Sequence, residues 1–305
     1  MTKETLINLA KGFIDKGFYE NRLKKYANEY IEYKFNESII FARITEIHFD
    51  VFRKQKNYSH KMKAMTIMEL VILASDILDD IQDQDAHEVP WGVVDNALNL
   101  NVIIGIVTIC IKESAGLTDE KNAKWIQERL YDLILLSISG QQIDLNNTLI
   151  NENDYFEMCQ MKSGSLIRLA CLLGAGEVDD EISKGIIEYS NYLGVIFQLR
   201  NDIADVTVGF IKNDIVSKKR TLPILYYLNT NKKSYESIRD YYLNPLSTHD
   251  ATTIHQEMIR GDALLYCSIV EDIYILRLKK CLNNLIIEST IKRLLVKSIV
   301  KLLTV

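Results

Sequence analysis

The sequence is poor in the residues that make turns. Of 305 residues, 3 are proline and 13 are glycine. An antiparallel β fold needs turn residues about every 8–12 positions, so this composition points to helices. Cysteine is also sparse: Cys110, Cys159, Cys171, Cys267 and Cys281 are widely spaced, odd in number and contain no CxxC. That argues against a disulfide framework and against zinc, and it fits reduced, packed thiols in the cytoplasm. Positive charge is not in excess. The net charge of -5 argues against a dedicated nucleic-acid binder. No continuous apolar segment marks a signal peptide at the N-terminus. The longest apolar run, Val102–Ile111, falls short of the roughly 20 residues that span a bilayer, so a transmembrane protein is not expected.

There is no repeat, low-complexity tract or linker, and 48% of the residues are hydrophobic, enough for a large core. Apolar residues recur at helical spacing throughout. Leu6, Leu9, Phe13 and Phe18 open the pattern, and Ile291, Leu294, Leu295, Ile299, Leu302 and Leu303 close it. Loops are predicted at Ala86–Gly92, Glu113–Asp119, Asn146–Asn153, Gly174–Asp180, Gly209–Arg220 and Asn244–Asp250. Asp154, with Glu157 three residues on, has the pattern of a helix N-cap, giving a helix over Tyr155–Leu173 that stops at Gly174. The reading is a single all-α domain over residues 1–305, a helical bundle.

Against this background one stretch stands out. LASDILDDIQDQD, residues 73–85, carries Asp76, Asp79, Asp80, Asp83 and Asp85 directly after the apolar MELVI. On a helix, Asp79 and Asp83 share a face, as do Asp80 and Asp83. Like charges at that spacing are unfavourable unless a cation sits on them. Magnesium suits the site, because it takes oxygen ligands from one or two carboxylates and from substrate phosphates. The bland reading is a solvated acidic helix end. No glycine or glutamate falls where an EF-hand would need it.

A second cluster changes the balance. FQLRNDIAD, residues 197–205, sets Asn201, Asp202 and Asp205 at i, i+1 and i+4, with Gln198 four before Asp202. Two oxygen-rich walls across a helical bundle, with magnesium between them, would suit a diphosphate. Balancing cations are found in KSGSL, with Lys162, and in DIVSKKRTLP, with Lys218, Lys219 and Arg220. Taken alone, each of these is a surface lysine or a solvated basic loop.

Together these pieces resemble the trans-isoprenyl diphosphate synthase family over roughly residues 35–225. ELVILASDILDDIQD is similar to the first aspartate-rich motif, GQQIDL to GQ-x-x-DL and KSGSL to the KTG element. FQLRNDIAD is similar to FQ-x-x-DD-x-x-D, and DIVSKKRTLP to D-L-x-x-G-K-x-T-L-P. The resemblance implies that Asp79 and Asp83 hold magnesium with Asp80 in support. It implies that Asn201 and Asp205 hold a third ion with Asp202 nearby, for about three ions in all. Lys162 and Lys219 would bind an allylic prenyl diphosphate, with Gln198, Gln141 and Asp144 beside it. Ser75 and Ala74 would meet the prenyl tail. The family also implies a homodimer.

Chain-elongating members bind a second diphosphate, that of isopentenyl diphosphate. They use a GGKR-like element, a histidine three residues after the motif glutamate, and paired arginines after the aspartates. Here there is no GGKR, Ile72 stands at the histidine position, and AHEVPWG replaces the arginines; its His87, Glu88 and Val89 carry no fixed positive charge. The allylic half is kept and the isopentenyl half is lost. This pattern resembles the ComQ-type isoprenyltransferases, which implies prenyl transfer to a tryptophan of a peptide pheromone precursor in quorum sensing and competence. The alternatives are a short-chain prenyl diphosphate synthase and a non-catalytic partner of one.

Overall fold

The computed structural model describes residues 3–54, 56–84, 88–117, 120–208 and 215–304. Asp85, Ala86, His87 and residues 118–119 and 209–214, on which expectations had been placed, lie outside the described residues. Among the described residues there are α-helices, short 3-10 turns, one π turn and no strand. The chain is all-α.

The fold divides into two compact units that interleave in sequence. The first comprises Met1–Leu135, Ser165–Ser190 and Lys279–Val305. It holds Lys3–Gly17 (α1), Asn21–Glu37 (α2), Ile40–Phe52 (α3), Tyr58–Asp83 (α4) and Asn96–Ser114 (α5). Glu120–Asn146 (α6) has residues in both units, and Glu152–Cys159 (α7) belongs to the second, which is Leu136–Gly164 with Asn191–Leu278. Ser165–Ala175 (α8) lies in the first unit, and Asp180–Val208 (α9) has residues in both. Leu222–Asn229 (α10), Glu236–Leu243 (α11) and Ala251–Arg260 (α12) lie in the second. Ala263–Asn284 (α13) has residues in both, and Ser289–Leu302 (α14) closes the first.

In the first unit α4 is the central helix. From Ala64 to Ala74 every residue is buried, so this stretch is enclosed all round rather than on one stripe. It packs against α1, α3, α5 and α8. Asn57 caps its start by accepting from the His60 N–H at 3.2 Å, and Gln84 ends it in the left-handed region at φ 57°. The run Val102–Ile111 lies in α5, a helix of 19 residues that is by itself long and apolar enough to cross a bilayer, which the run alone is not. In this fold α5 packs against α4, α1 and α2 and buries Val102, Ile103, Ile106, Ile109 and Cys110. All five cysteines are buried and unbridged.

Two buried titratable groups join the central helices. Ile39, at the start of α3, offers no side-chain cap, so Glu69 of α4 supplies it, accepting from the Ala42 N–H at 2.6 Å. Glu69 is 1% exposed, and burial pushes its carboxyl up to about 7 against that bond. His48 of α3 faces the Ile44 carbonyl through Nδ1 at 2.7 Å. A carbonyl only accepts, so Nδ1 carries the proton and Nε2 accepts from the Tyr189 hydroxyl at 2.5 Å. Burial lowers His48 to about 4.

The helix after Asn146 differs from expectation at both ends. Its N-cap is Asn151, and Asp154 is the reciprocal acid of the capping box, bonded back to the Asn151 N–H at 3.0 Å. Both spacings fit a capping pattern, and the side-chain direction selects Asn151. The helix is interrupted by a π turn at Gln160–Gly164 and continues through Gly174 to Ala175. Gly174 serves packing instead of termination: a Cβ there would lie 2.3 Å from the Thr45 carbonyl of α3. The stop is Gly176, at φ 74°.

Glu69 and His48 bend stability with pH in opposite directions. The folded value of Glu69 lies above its unfolded 4.5, so its contribution is full below about 4.5 and is lost as pH rises through about 7. The folded value of His48 lies below its unfolded 6.5, so its contribution is full above about 6.5 and is lost as pH falls through about 4. Each loss amounts to about 3 kcal/mol. Glu69→Gln is therefore expected to melt above wild type at pH 8, with the gap shrinking towards pH 5. Equal melting at pH 8 would show that the buried carboxylate carries no penalty.

Candidate functional site

The first group of predicted residues lies in the first unit, on the last turns of α4. A helix C-terminus carries the negative end of the backbone dipole, so the aspartates there repel both one another and the helix end. Asp76 is held by Lys34 of α2, whose Nζ lies 2.6 Å from Oδ2. Burial pulls the Lys34 ammonium down, but Asp76, with Glu37 and Glu69, more than restores it. Asp80 accepts from the Trp91 indole Nε1 at 2.7 Å. Asp79 and Asp83, four residues apart, are half-buried on that same end. Ala74 is buried, and Ser75 is half-buried with its hydroxyl bonded back to the Val71 carbonyl at 3.0 Å. Ile72 is in the core.

The second group lies in the second unit and is built around the π turn. Two glycines let helices approach it by backbone. A Cβ on Gly140 of α6 would lie 2.3 Å from the Lys162 nitrogen, and one on Gly194 of α9 would lie 2.5 Å from the Gly164 Cα. The Ser137 hydroxyl donates to the Lys162 carbonyl at 2.9 Å. This approach delivers Lys162 to Asp144 of α6, Nζ to Oδ2 at 2.8 Å. Lys219 reaches the same oxygen at 3.1 Å. Its loop is anchored by Asn147, whose side chain donates to the Lys218 carbonyl at 2.9 Å and accepts from the Arg220 N–H at 2.7 Å. Asp144 is 5% exposed; burial raises its carboxyl, and the two ammonium groups overcome this and hold it below the usual range.

The same unit sorts the residues of the second cluster. Asp202 is buried and bracketed: Tyr155 donates to Oδ2 at 2.6 Å and Gln198 to Oδ1 at 2.9 Å. Burial, then the charge of Asp202, pushes the Tyr155 hydroxyl well up, so it remains a donor. Ser163 of the π turn donates to Gln198 Oε1 at 3.0 Å. Asn201 is exposed and Asp205 half-buried, one turn apart. Gln141 is buried beside Asp144 in sequence. The structure thus brings Lys162, Lys219 and Asp144 together, and Gln198 with Asp202. Sequence reasoning missed Lys34, Trp91, Asn147, Tyr155 and Ser163; each acts through hydrogen bonds or an ion pair with residues outside its own local pattern.

Among the described residues no three His, Cys, Asp or Glu side chains converge as a metal cage. The donor sets fit a different kind of site. Asp79 with Asp83, and Asn201 with Asp205, are oxygen-only pairs one helical turn apart, accessible at least in part. Magnesium uses such pairs when substrate phosphates and waters complete its shell.

The family model for polyprenyl synthetase matches residues 38–258. The chain belongs to the polyprenyl synthetase family and is a prenyltransferase. The chain is 26% identical over 279 residues to a protein of Bacillus subtilis named tryptophan prenyltransferase ComQ, covering 90% of this chain and 89% of that one. A protein of the same name from Bacillus spizizenii is 26% identical over 267 residues, covering 86% and 93%. Among solved structures, geranylgeranyl pyrophosphate synthase from Lactobacillus brevis superposes with a TM-score of 0.80 at 12% identity, covering 98% of this chain and 96% of that one. That likeness is one of fold.

Lys162→Ala and Lys219→Ala are each expected to weaken binding of a non-hydrolysable allylic diphosphate roughly ten- to hundredfold, the worth of one charge-assisted hydrogen bond. Gly140→Ala should do the same by displacing Lys162. Calorimetric titration measures all three; unchanged affinity in both lysine variants would assign them to Asp144 alone.

Proposed function

We propose that this prenyltransferase ionises farnesyl or geranyl diphosphate and transfers the prenyl group to a tryptophan of a peptide pheromone precursor, maturing a quorum-sensing signal for competence. The names of the Bacillus relatives support this, over most of both lengths. The observation that carries it is the state of the positions where a chain-elongating relative would place cations for a second diphosphate. Ile72 is packed in the core. Trp91 is buried, with its N–H given to Asp80. Lys34, on the neighbouring helix, is held by Asp76. An acceptor that carries no diphosphate suits that arrangement.

Lys162 and Lys219 bind the diphosphate, and Asp144 holds the two ammonium groups together until it arrives. Gln198 is fixed by Ser163, the residue after Lys162, and by Asp202. Asp79, Asp83, Asn201 and Asp205 would hold magnesium, which supplies neutralisation of the leaving group's charge. The allylic C–O bond breaks and its electron pair leaves on the diphosphate. Indole C3 of the peptide attacks the allylic carbon. A backbone nitrogen of the peptide then closes onto C2 and loses its proton, so the products are prenylated peptide and protonated diphosphate.

Given farnesyl or geranyl diphosphate with radiolabelled isopentenyl diphosphate and magnesium, the purified protein is expected to make little longer polyprenyl product. Efficient elongation would favour an ordinary short-chain synthase instead. Asp79→Ala or Asp83→Ala should lower turnover by orders of magnitude with the fold intact; near-normal turnover in excess magnesium would end the metal role.

The small residues Ser75 and Ala74 lie four and five positions before Asp79, about 6–7.5 Å along the helix. They leave room for a longer tail, which gains roughly 0.8 kcal/mol per buried methylene. Farnesyl diphosphate should therefore be preferred over geranyl diphosphate, and Ala74→Phe should reverse the order. A variant that keeps the wild-type ratio in direct competition would show that α4 does not set tail length.

A further inference from the structure

The residue that sequence reading passed over most completely is Trp91. It sits in the 3-10 turn Pro90–Val93 and is 3% exposed. Its position is fixed from three directions. The ring packs edge-on against Tyr30 at 5.5 Å and Tyr33 at 5.7 Å between centroids, both from α2. Its carbonyl accepts from the Asn99 side chain of α5 at 2.9 Å. Asn99, fully buried, in turn accepts from the Tyr30 hydroxyl at 2.7 Å. Tyr30, Asn99 and Trp91 therefore close a circuit, and an indole held this way has one place to aim its N–H. It aims at Oδ2 of Asp80, 2.7 Å away.

A buried indole N–H needs an acceptor, and the one it takes here is a carboxylate of the acidic end of α4. A carboxylate that accepts a fixed N–H cannot rotate freely, so the direction of its remaining lone pairs is set. Groups that orient ligand carboxylates in this way are worth about 10–100-fold in metal affinity. We propose that Trp91 is a positioning residue: through its indole N–H it fixes the Asp80 carboxylate, and with it the acidic end of α4, for magnesium and the diphosphate. The inference rests on the magnesium reading of that helix end.

The test is the magnesium concentration at which a non-hydrolysable farnesyl diphosphate analogue binds, measured by calorimetry on the full chain. Trp91→Phe keeps the ring and removes the donor. Its magnesium midpoint is expected to rise about 10–100-fold, with analogue affinity at saturating magnesium and the melting temperature near wild type. An unchanged midpoint overturns the proposal, and so does a loss of affinity that saturating magnesium fails to restore. Asp79→Ala separates the underlying reading: a wild-type midpoint there removes the magnesium site, and this role with it. If Trp91→Phe does not fold, Trp125→Phe leaves Trp91 as the single indole. Its 15N-labelled Nε1–H resonance should then move on addition of magnesium with the analogue, and a resonance that stays still overturns the proposal.

Discussion

The buried carboxylate of Asp144 organises the cationic part of this protein. A carboxylate taken out of water is costly unless it is paired, and here one oxygen receives two ammonium groups, from Lys162 and Lys219. Two lysines on one acid leave a net positive charge that a diphosphate can meet. The pairing depends on backbone contact: without the bare Cα of Gly140 the π turn could not lie against α6, and Lys162 would stand away from Asp144. It depends equally on Asn147, which binds the loop carrying Lys219 from both sides. π turns inside helices are often found at functional sites, and this one presents Lys162 and Ser163 together.

Several of the acidic residues have donors supplied by other elements. Lys34 holds Asp76, Trp91 donates to Asp80, and Tyr155 and Gln198 bracket Asp202. Asp79 with Asp83, and Asn201 with Asp205, have the spacing and oxygen chemistry for a hard cation.

Much of this was legible in the sequence, because it rests on local spacing. Helical periodicity, the scarcity of glycine and proline, and the loops around Asn146–Asn153, Gly174–Asp180 and Asn244–Asp250 all depend on neighbouring residues. The spacing of Asp79 with Asp83 and of Asn201 with Asp205 does too. What was not legible depends on residues far apart. The N-cap was placed at Asp154 instead of Asn151 because both fit the same short pattern. Gly174 has the sequence signal of a helix stop but is a contact with α3. The cap of α3 comes from Glu69 on another helix, and the π turn is imposed by packing against Gly140 and Gly194. Trp91 lay in a segment noted for lacking arginines, and its role depends on Tyr30 and Asn99.

The central claim is that the acceptor is an indole. The most direct measurement incubates the purified protein with magnesium, farnesyl diphosphate and a peptide carrying a single tryptophan near its C-terminus, followed by fragmentation mass spectrometry. The account predicts a mass gain of one farnesyl group localised to the tryptophan and absent when that residue is replaced by phenylalanine. Farnesylation elsewhere in the peptide, or an equal gain in the phenylalanine peptide, would contradict it.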